Sequence, residues 1–267
     1  MIVAENILIL SMTRMGDMIQ TTPLIRGLKE KNPSAKITLL VTSDFSSAVP
    51  LIPNVDESIV INLRQFDIQE NWEDISWVKI YRYLEKSLED IKSRNFDLLV
   101  NLSHSKFSAL MVRLLGIKNV VGFYCNDFGN RMTGHPWMQF FSVEVFNRKY
   151  NEFNLVEIFS RSGGVDVRGR TIEVVRPQNQ LSVDTLMSFG EEDILIGFQA
   201  GSSLEDRRWP LRSFANLADM LIENLNARIV IFGVESENEV AEEIKNSAKN
   251  KDRISNLAGK TNLSELS

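Results

Sequence analysis

Residues 6–42 read NILILSMTRMGDMIQTTPLIRGLKEKNPSAKITLLVT, and this stretch decides the fold. Asn6–Ser11 is a compact apolar run, a short polar loop follows, and an apolar helical period runs from Met18 through Ile25 and Leu28 to Lys31. Asn32-Pro33 ends that helix, and Lys36–Thr42 supplies a second β-rich run. Strand, helix and strand in this order make a βαβ unit with parallel strands and a right-handed crossover.

The alternation continues outward. Phe45–Leu51 reads as a short helix, Ser58–Ile61 as a strand and Ile80–Arg94 as a long amphipathic helix. Phe96–Leu102 is a buried strand, Ser105–Leu115 a helix ended by Gly116, and Val120–Phe123 a further strand. Gln65–Val78 fits neither period and reads as an inserted loop, and Cys125–Pro136 is loop-rich. An aromatic segment with Trp137, Phe140, Phe141, Phe146, Tyr150 and Phe153 leads into a helix over Asn151–Ser162, stopped by Gly163-Gly164. Arg176–Gly190 is polar, carries Pro177 and is the expected linker. A strand at Ile194–Phe198, a helix at Ser213–Asn224, a strand at Arg228–Phe232 and a helix at Ser236–Ala248 then repeat the opening logic.

This order predicts an α/β chain of two Rossmann-like, doubly wound parallel-sheet domains, residues 1–178 and 193–267, with the second incomplete. From Asp193 only 75 residues remain, fewer than a usual domain of about 100–150. The closing Leu263–Ser267 reads as the first turn of an unfinished helix, so a truncated product is expected.

Composition narrows the function. Lys and Arg number 30 against 35 Asp and Glu, so no basic excess attracts nucleic acid. The single cysteine, Cys125, cannot form an internal disulfide, and its spacing from His104 and His135 gives no zinc site. No apolar run approaches membrane-spanning length, and Ile7–Leu10 is too short for a signal-peptide core. The expected location is the cytoplasm, with docking on a membrane surface left open.

Four constellations can carry chemistry. The loop Ser11–Asp17 with Thr21-Thr22-Pro23 lies at the carboxyl end of the first strand, where open α/β sheets bind ligands. Gly16 lets a backbone approach a ligand there, and Asp17 either caps the helix or takes a proton from an attacking hydroxyl. The loop lacks G-x-G-x-x-G, which disfavours a nicotinamide oxidoreductase. Gln199–Pro210 offers Ser202, Ser203, Arg207 and Arg208 before a Pro-started helix; it suits a diphosphate or is a solvated charged loop. Glu235 follows the next strand, as a first-turn acid or as a partner for ribose hydroxyls. Asn101–Ser105 ends a buried strand, with Ser103 or Ser105 as a helix cap and His104 as a spectator or an acceptor contact.

Together these pieces resemble the bacterial ADP-heptose lipopolysaccharide heptosyltransferases, glycosyltransferase family 9, of the two-domain GT-B fold. The resemblance is carried by Ile7–Pro23, Phe96–Ser105, Gly122-Phe123, Ala200–Ser203 with Arg207–Pro210, and Asn256–Thr261. It implies inverting transfer of heptose from ADP-heptose to the lipopolysaccharide inner core, with no required metal or other cofactor. It implies Asp17 as general base, Ser202, Ser203 and Arg207 on the donor diphosphate, Glu235 near the ribose and Thr261 near the adenine. Arg14, Gly16, Thr21, Ser103 and His104 are acceptor-side or loop residues. Many members carry lysine where Arg207 stands, which keeps the charge and changes the geometry. The family's Asp-(Ser/Thr)-Gly...His motif is absent up to Ser267, so weak donor binding is expected of this chain alone. The implied partners are a nucleotide sugar and a lipopolysaccharide acceptor, with peripheral contact at the inner face of the cytoplasmic membrane. The rival reading is a non-catalytic glycolipid- or partner-binding module.

Overall fold

A computed structural model describes residues 4–66, 76–144, 153–175, 194–202 and 205–266. The chain forms two compact units, Met1–Val175 and Arg176–Ser267. Phe146, Tyr150, Ser203, the expected linker Arg176–Gly190 and most of the Gln65–Val78 loop lie outside the described residues.

The first unit runs β1 (Asn6–Leu10), α1 (Met15–Ile19), α2 (Thr22–Lys31), β2 (Lys36–Thr42), a 3-10 helix (Ser43–Leu51) and β3 (Glu57–Ile61). It continues with α3 (Trp77–Lys92), β4 (Leu98–Asn101), α4 (Lys106–Leu115), β5 (Asn119–Cys125), β6 (Arg131–Thr133), α5 (Pro136–Glu144) and α6 (Leu155–Ser162). The sheet order is β3-β2-β1-β4-β5-β6, parallel except for β6. Ile7, Leu8, Ile9 and Leu10 of β1 are fully buried, because a central parallel strand is covered by helices on both faces. Leu8, Leu10, Leu40 and Leu99 meet Ile91, Met111, Val112 and Leu115 from α3 and α4 in one core cluster.

The expected helix over Met18–Lys31 is two helices. Pro23 has no N–H, and its ring would clash with the Ile19 carbonyl, so the first helix stops at Gln20 and a second starts with proline in its first turn. Phe45–Leu51 winds as part of a 3-10 helix, α3 begins at Trp77 inside the expected loop, and Cys125–Pro136 contains the antiparallel strand β6. The ends of α4 are as expected: the Ser105 side chain accepts from Ser108 N–H, and Gly116 is left-handed at φ 70.

After α6 the chain is stapled back along α2. Arg170 forks onto Glu30 at 2.9 and 2.5 Å, Arg26 pairs with Glu173, and Lys31 donates to the Gly164 carbonyl. Glu173 N–H donates to Thr22 Oγ1 at 3.1 Å, and Val175 N–H to the Leu51 carbonyl at 2.9 Å. Gly27 has no side chain because one there would collide with Val165.

The second unit holds β7 (Ile194–Gln199), α7 (Leu211–Leu225), β8 (Ala227–Phe232), α8 (Asn238–Ser247) and β9 (Ile254–Asn256), all strands parallel in the order β7-β8-β9. Ala215, Ala218 and Ile222 of α7 and Ala241 and Ile244 of α8 pack on Ile229 and Ile231. Asp219 of α7 is buried and accepts from the N–H groups of Lys249 and Asn250 at 2.9 Å each, which holds the turn after α8.

Candidate active site

In the first unit the strand order reverses between β1 and β4, the point where an open α/β sheet leaves a crevice at its carboxyl edge. Two loops meet there. Met12 N–H of the β1 loop donates to Ser103 Oγ of the β4 loop at 2.6 Å. Ser103 N–H in turn donates to Asn101 Oδ1 at 3.0 Å, and Asn101 Nδ2 reaches the Phe123 carbonyl at 2.8 Å. Ser103 is buried, so it braces the loop rather than presenting its hydroxyl. Gly122 opposes Asn101 at φ 97, where a side chain would collide with the Asn101 carbonyl.

Asp17 stands half-buried in the first turn of α1, and its carboxylate makes no hydrogen bond or ion pair among the described residues. The cap position belongs to Arg14, which is exposed and makes no side-chain cap bond. The capping role for Asp17 therefore falls away. A side chain at Gly16 would meet nothing within 4 Å, so the space above this turn is open. Thr21 is enclosed and gives its hydroxyl to the Met18 carbonyl at 2.6 Å, a structural role at the helix break.

His104 is held on one side. Arg131 donates to its Nδ1 at 2.8 Å and to its carbonyl at 2.7 Å. A guanidinium cannot accept, so Nδ1 is the acceptor and the neutral ring carries its proton on Nε2. Burial and then the Arg131 charge hold its pKa below the ordinary 6.5. Phe123 and Phe141 pack edge-on against the ring, at centroid distances of 4.8 and 5.7 Å. Nothing in the sequence spacing pointed to Arg131, because β6 lies inside a stretch that reads as loop.

The second unit gathers the loops after β7, β8 and β9. Arg208 donates from Nε and a terminal nitrogen to the Ser202 carbonyl at 3.0 and 2.9 Å, which folds the loop back on itself. Arg207 closes a 3-10 turn (Glu205–Arg207) and is exposed. Glu235 is exposed and presses on Gly259, which sits at φ 72 and has no room for a side chain. Gly259 N–H donates to the Gly233 carbonyl at 2.9 Å, so Glu235 and the Gly259–Thr261 turn are brought together. Thr261 Oγ1 is buried without a hydrogen-bond partner among the described residues. Glu237, which the sequence did not single out, accepts from Val234 N–H at 3.0 Å and fills the space beside Gly201.

Among the described residues no group of three His, Cys, Asp or Glu can hold a metal, and no helix is long and apolar enough to cross a membrane.

The architecture has close counterparts. A glycosyl transferase family 9 protein from Veillonella parvula superimposes with a TM-score of 0.74 at 18% identity, over 98% of this chain and 72% of that one. The Escherichia coli ADP-heptose lipopolysaccharide heptosyltransferase II does so with a TM-score of 0.65 at 22% identity, over 98% and 75%. Two parallel-sheet units of this kind are the GT-B fold of these structures. The profile of glycosyltransferase family 9 (heptosyltransferase) matches residues 84–267, and the chain belongs to that family. Lipooligosaccharide heptosyltransferase 2 of Haemophilus influenzae is 27% identical over 97% of this chain and 73% of its own length. Lipopolysaccharide heptosyltransferase 3 of Escherichia coli is 26% identical over 94% and 70%.

Proposed function

We propose that the chain transfers heptose from ADP-heptose to the inner core of lipopolysaccharide by inverting displacement, at the inner face of the cytoplasmic membrane. Relatives named for this activity, aligned along most of the chain, support the substrate class. The observation that carries the mechanism is Asp17, an unpaired carboxylate beside open space at the point where the sheet order reverses.

In this reading Asp17 takes the proton from the acceptor hydroxyl as its oxygen attacks the anomeric carbon, and the bond to the diphosphate breaks on the opposite face. Negative charge grows on the leaving ADP, where Ser202, Ser203 and Arg207 stabilise it more than they stabilise the bound donor. Glu235 accepts from the ribose hydroxyls, and Thr261 lies by the adenine. Arg14, Gly16 and His104 line the acceptor side, with Ser103 and Thr21 shaping the loops beneath.

The test is ADP release and sugar transfer with the purified chain, ADP-heptose and a heptose-deficient lipopolysaccharide. Transfer that falls about 100- to 10,000-fold in Asp17→Asn, with unchanged circular dichroism, is the expected result. Equal rates in the two proteins remove the base assignment, and no transfer by the unaltered chain even at saturating ADP-heptose removes the activity.

A further inference from the structure

The loop after β7 carries two adjacent arginines, and the fold treats them oppositely. Arg207 closes the 3-10 turn, is exposed and makes no hydrogen bond or ion pair among the described residues. Arg208 is turned back: its Nε and Nη2 both donate to the Ser202 carbonyl, at 3.0 and 2.9 Å, across six residues of chain. In sequence the pair reads as two equal cations. In the fold one is a tie and the other is free.

The ends of the loop are anchored as well. Gly201 lies against the Glu237 carboxylate with no room for a side chain. At the far end the Trp209 ring meets Phe214 edge-on at 5.0 Å, and Phe214 packs on Phe198 of β7 at 5.5 Å. The Pro210 carbonyl then accepts from Ser213 N–H at 2.9 Å and Phe214 N–H at 3.3 Å, which starts α7. Between these anchors the Arg208 fork spans the loop. Two donors from one edge of a planar guanidinium converge on one oxygen, a geometry that the single ammonium of lysine does not reproduce. The fork offsets the negative charge of that carbonyl oxygen, which would repel a phosphate. It also removes the conformational freedom of the loop before a ligand arrives rather than on binding.

We propose that Arg208 is a positioning residue for the sugar donor: by tying the Ser202 carbonyl it holds the loop closed, in the form in which Arg207 meets the diphosphate. The inference rests on the reading of this loop as the donor-diphosphate site, and it gives Arg208 a role distinct from that of Arg207. Without the fork the donor has to close the loop with its own binding energy, and once closed the loop is as before. Loss of Arg208 therefore weakens donor binding and leaves the rate at saturation.

The test compares Arg208→Lys, which keeps the charge and loses the fork, with Arg208→Gln in the full chain. Calorimetric titration with ADP reads binding, and transfer from ADP-heptose reads KM and kcat. Both variants are expected to weaken ADP and to raise KM for ADP-heptose about tenfold. In both, kcat stays within about twofold, the denaturation midpoint stays unchanged, and amide hydrogen exchange quickens in the peptide that carries Ser202. Native ADP affinity in Arg208→Lys with loss in Arg208→Gln overturns the proposal, because charge alone then suffices and Arg208 acts on the diphosphate directly. Native affinity and KM in both variants overturn it while leaving the functional reading in place. Weakened binding with unchanged exchange, or with a fallen denaturation midpoint, also overturns it. ADP binding that responds to both variants in a chain that transfers nothing sustains the tie and defeats the functional reading instead. An unaltered chain that binds no ADP removes both.

Discussion

In both units a strand ends on a buried asparagine whose side-chain oxygen accepts from the backbone two residues on: Asn101 from Ser103 at 3.0 Å, Asn256 from Ala258 at 2.9 Å. Beyond that shared turn the two diverge. In the first unit the amide of Asn101 continues to a backbone carbonyl, and the neighbouring loop is tied by a serine hydroxyl, so neutral groups do the bracing and Asp17 is left unpaired. In the second, Asn256 Nδ2 donates to Glu242 at 2.7 Å, while Glu235 and Glu237 press on Gly259 and Gly201. At the carboxyl edge of the sheet the carboxylates are structural in the second unit, whereas Asp17 is free in the first. A free carboxylate is available for proton transfer, whereas the acids of the second unit share its carboxyl-edge loops with Arg207 and Arg208.

Four experiments break or sharpen that contrast, and the largest effect comes first. Asp17→Asn is expected to cut transfer about 100- to 10,000-fold while leaving ADP affinity by calorimetry unchanged, and Arg207→Ala to weaken ADP at least tenfold. If both variants alter the same parameter, the division of roles is wrong. Next, Gly259→Ala forces a side chain into a left-handed position against Glu235, and about 1–3 kcal/mol of lost stability in the second unit is expected from chemical denaturation.

Asp219→Asn should cost about 1–3 kcal/mol at neutral pH by removing charged acceptors from three donors. Burial raises the pKa of Asp219, but the Lys249 and Asn250 N–H groups and the Asn250 side chain outweigh it, so the net direction is downward. Its stabilisation is therefore present above the unfolded value of about 3.9 and is lost as pH falls through the lower folded value. Denaturation midpoints followed in acid should show that decline in the unaltered chain and a flatter one in Asp219→Asn. The smallest effect is Arg131→Gln, which removes a neighbouring cation and should move the His104 pKa back toward 6.5 by NMR titration, with burial still holding it below. An unchanged titration would mean that Arg131 does not set the state of the ring.

Much of this was legible in the residues. The first βαβ unit follows from uninterrupted apolar runs, and the doubly wound class from their alternation with helices. The helix break at Gln20-Thr21 was not seen because Met18, Leu24 and Ile25 keep one apolar period across it, whereas the stop is made by the missing N–H of Pro23. β6 and β9 span three residues each, too short to show a period, and with β6 went Arg131. Glu237 carries no sequence signal because its role is a contact with Gly201, far away in sequence. Asp17 stands out in the sequence by its position after the first strand, but only the three-dimensional arrangement gives the cap position to Arg14.

The ties that run back along α2 bear on how such a chain can be recombined. Because Glu30, Arg26, Thr22 and Leu51 all hold residues 170–175, every one of those bonds closes before Arg176. A splice placed after Val175 would carry the first unit away whole, with its own clasp, and Val175 is therefore the natural crossover point for chimaeras that exchange the second unit.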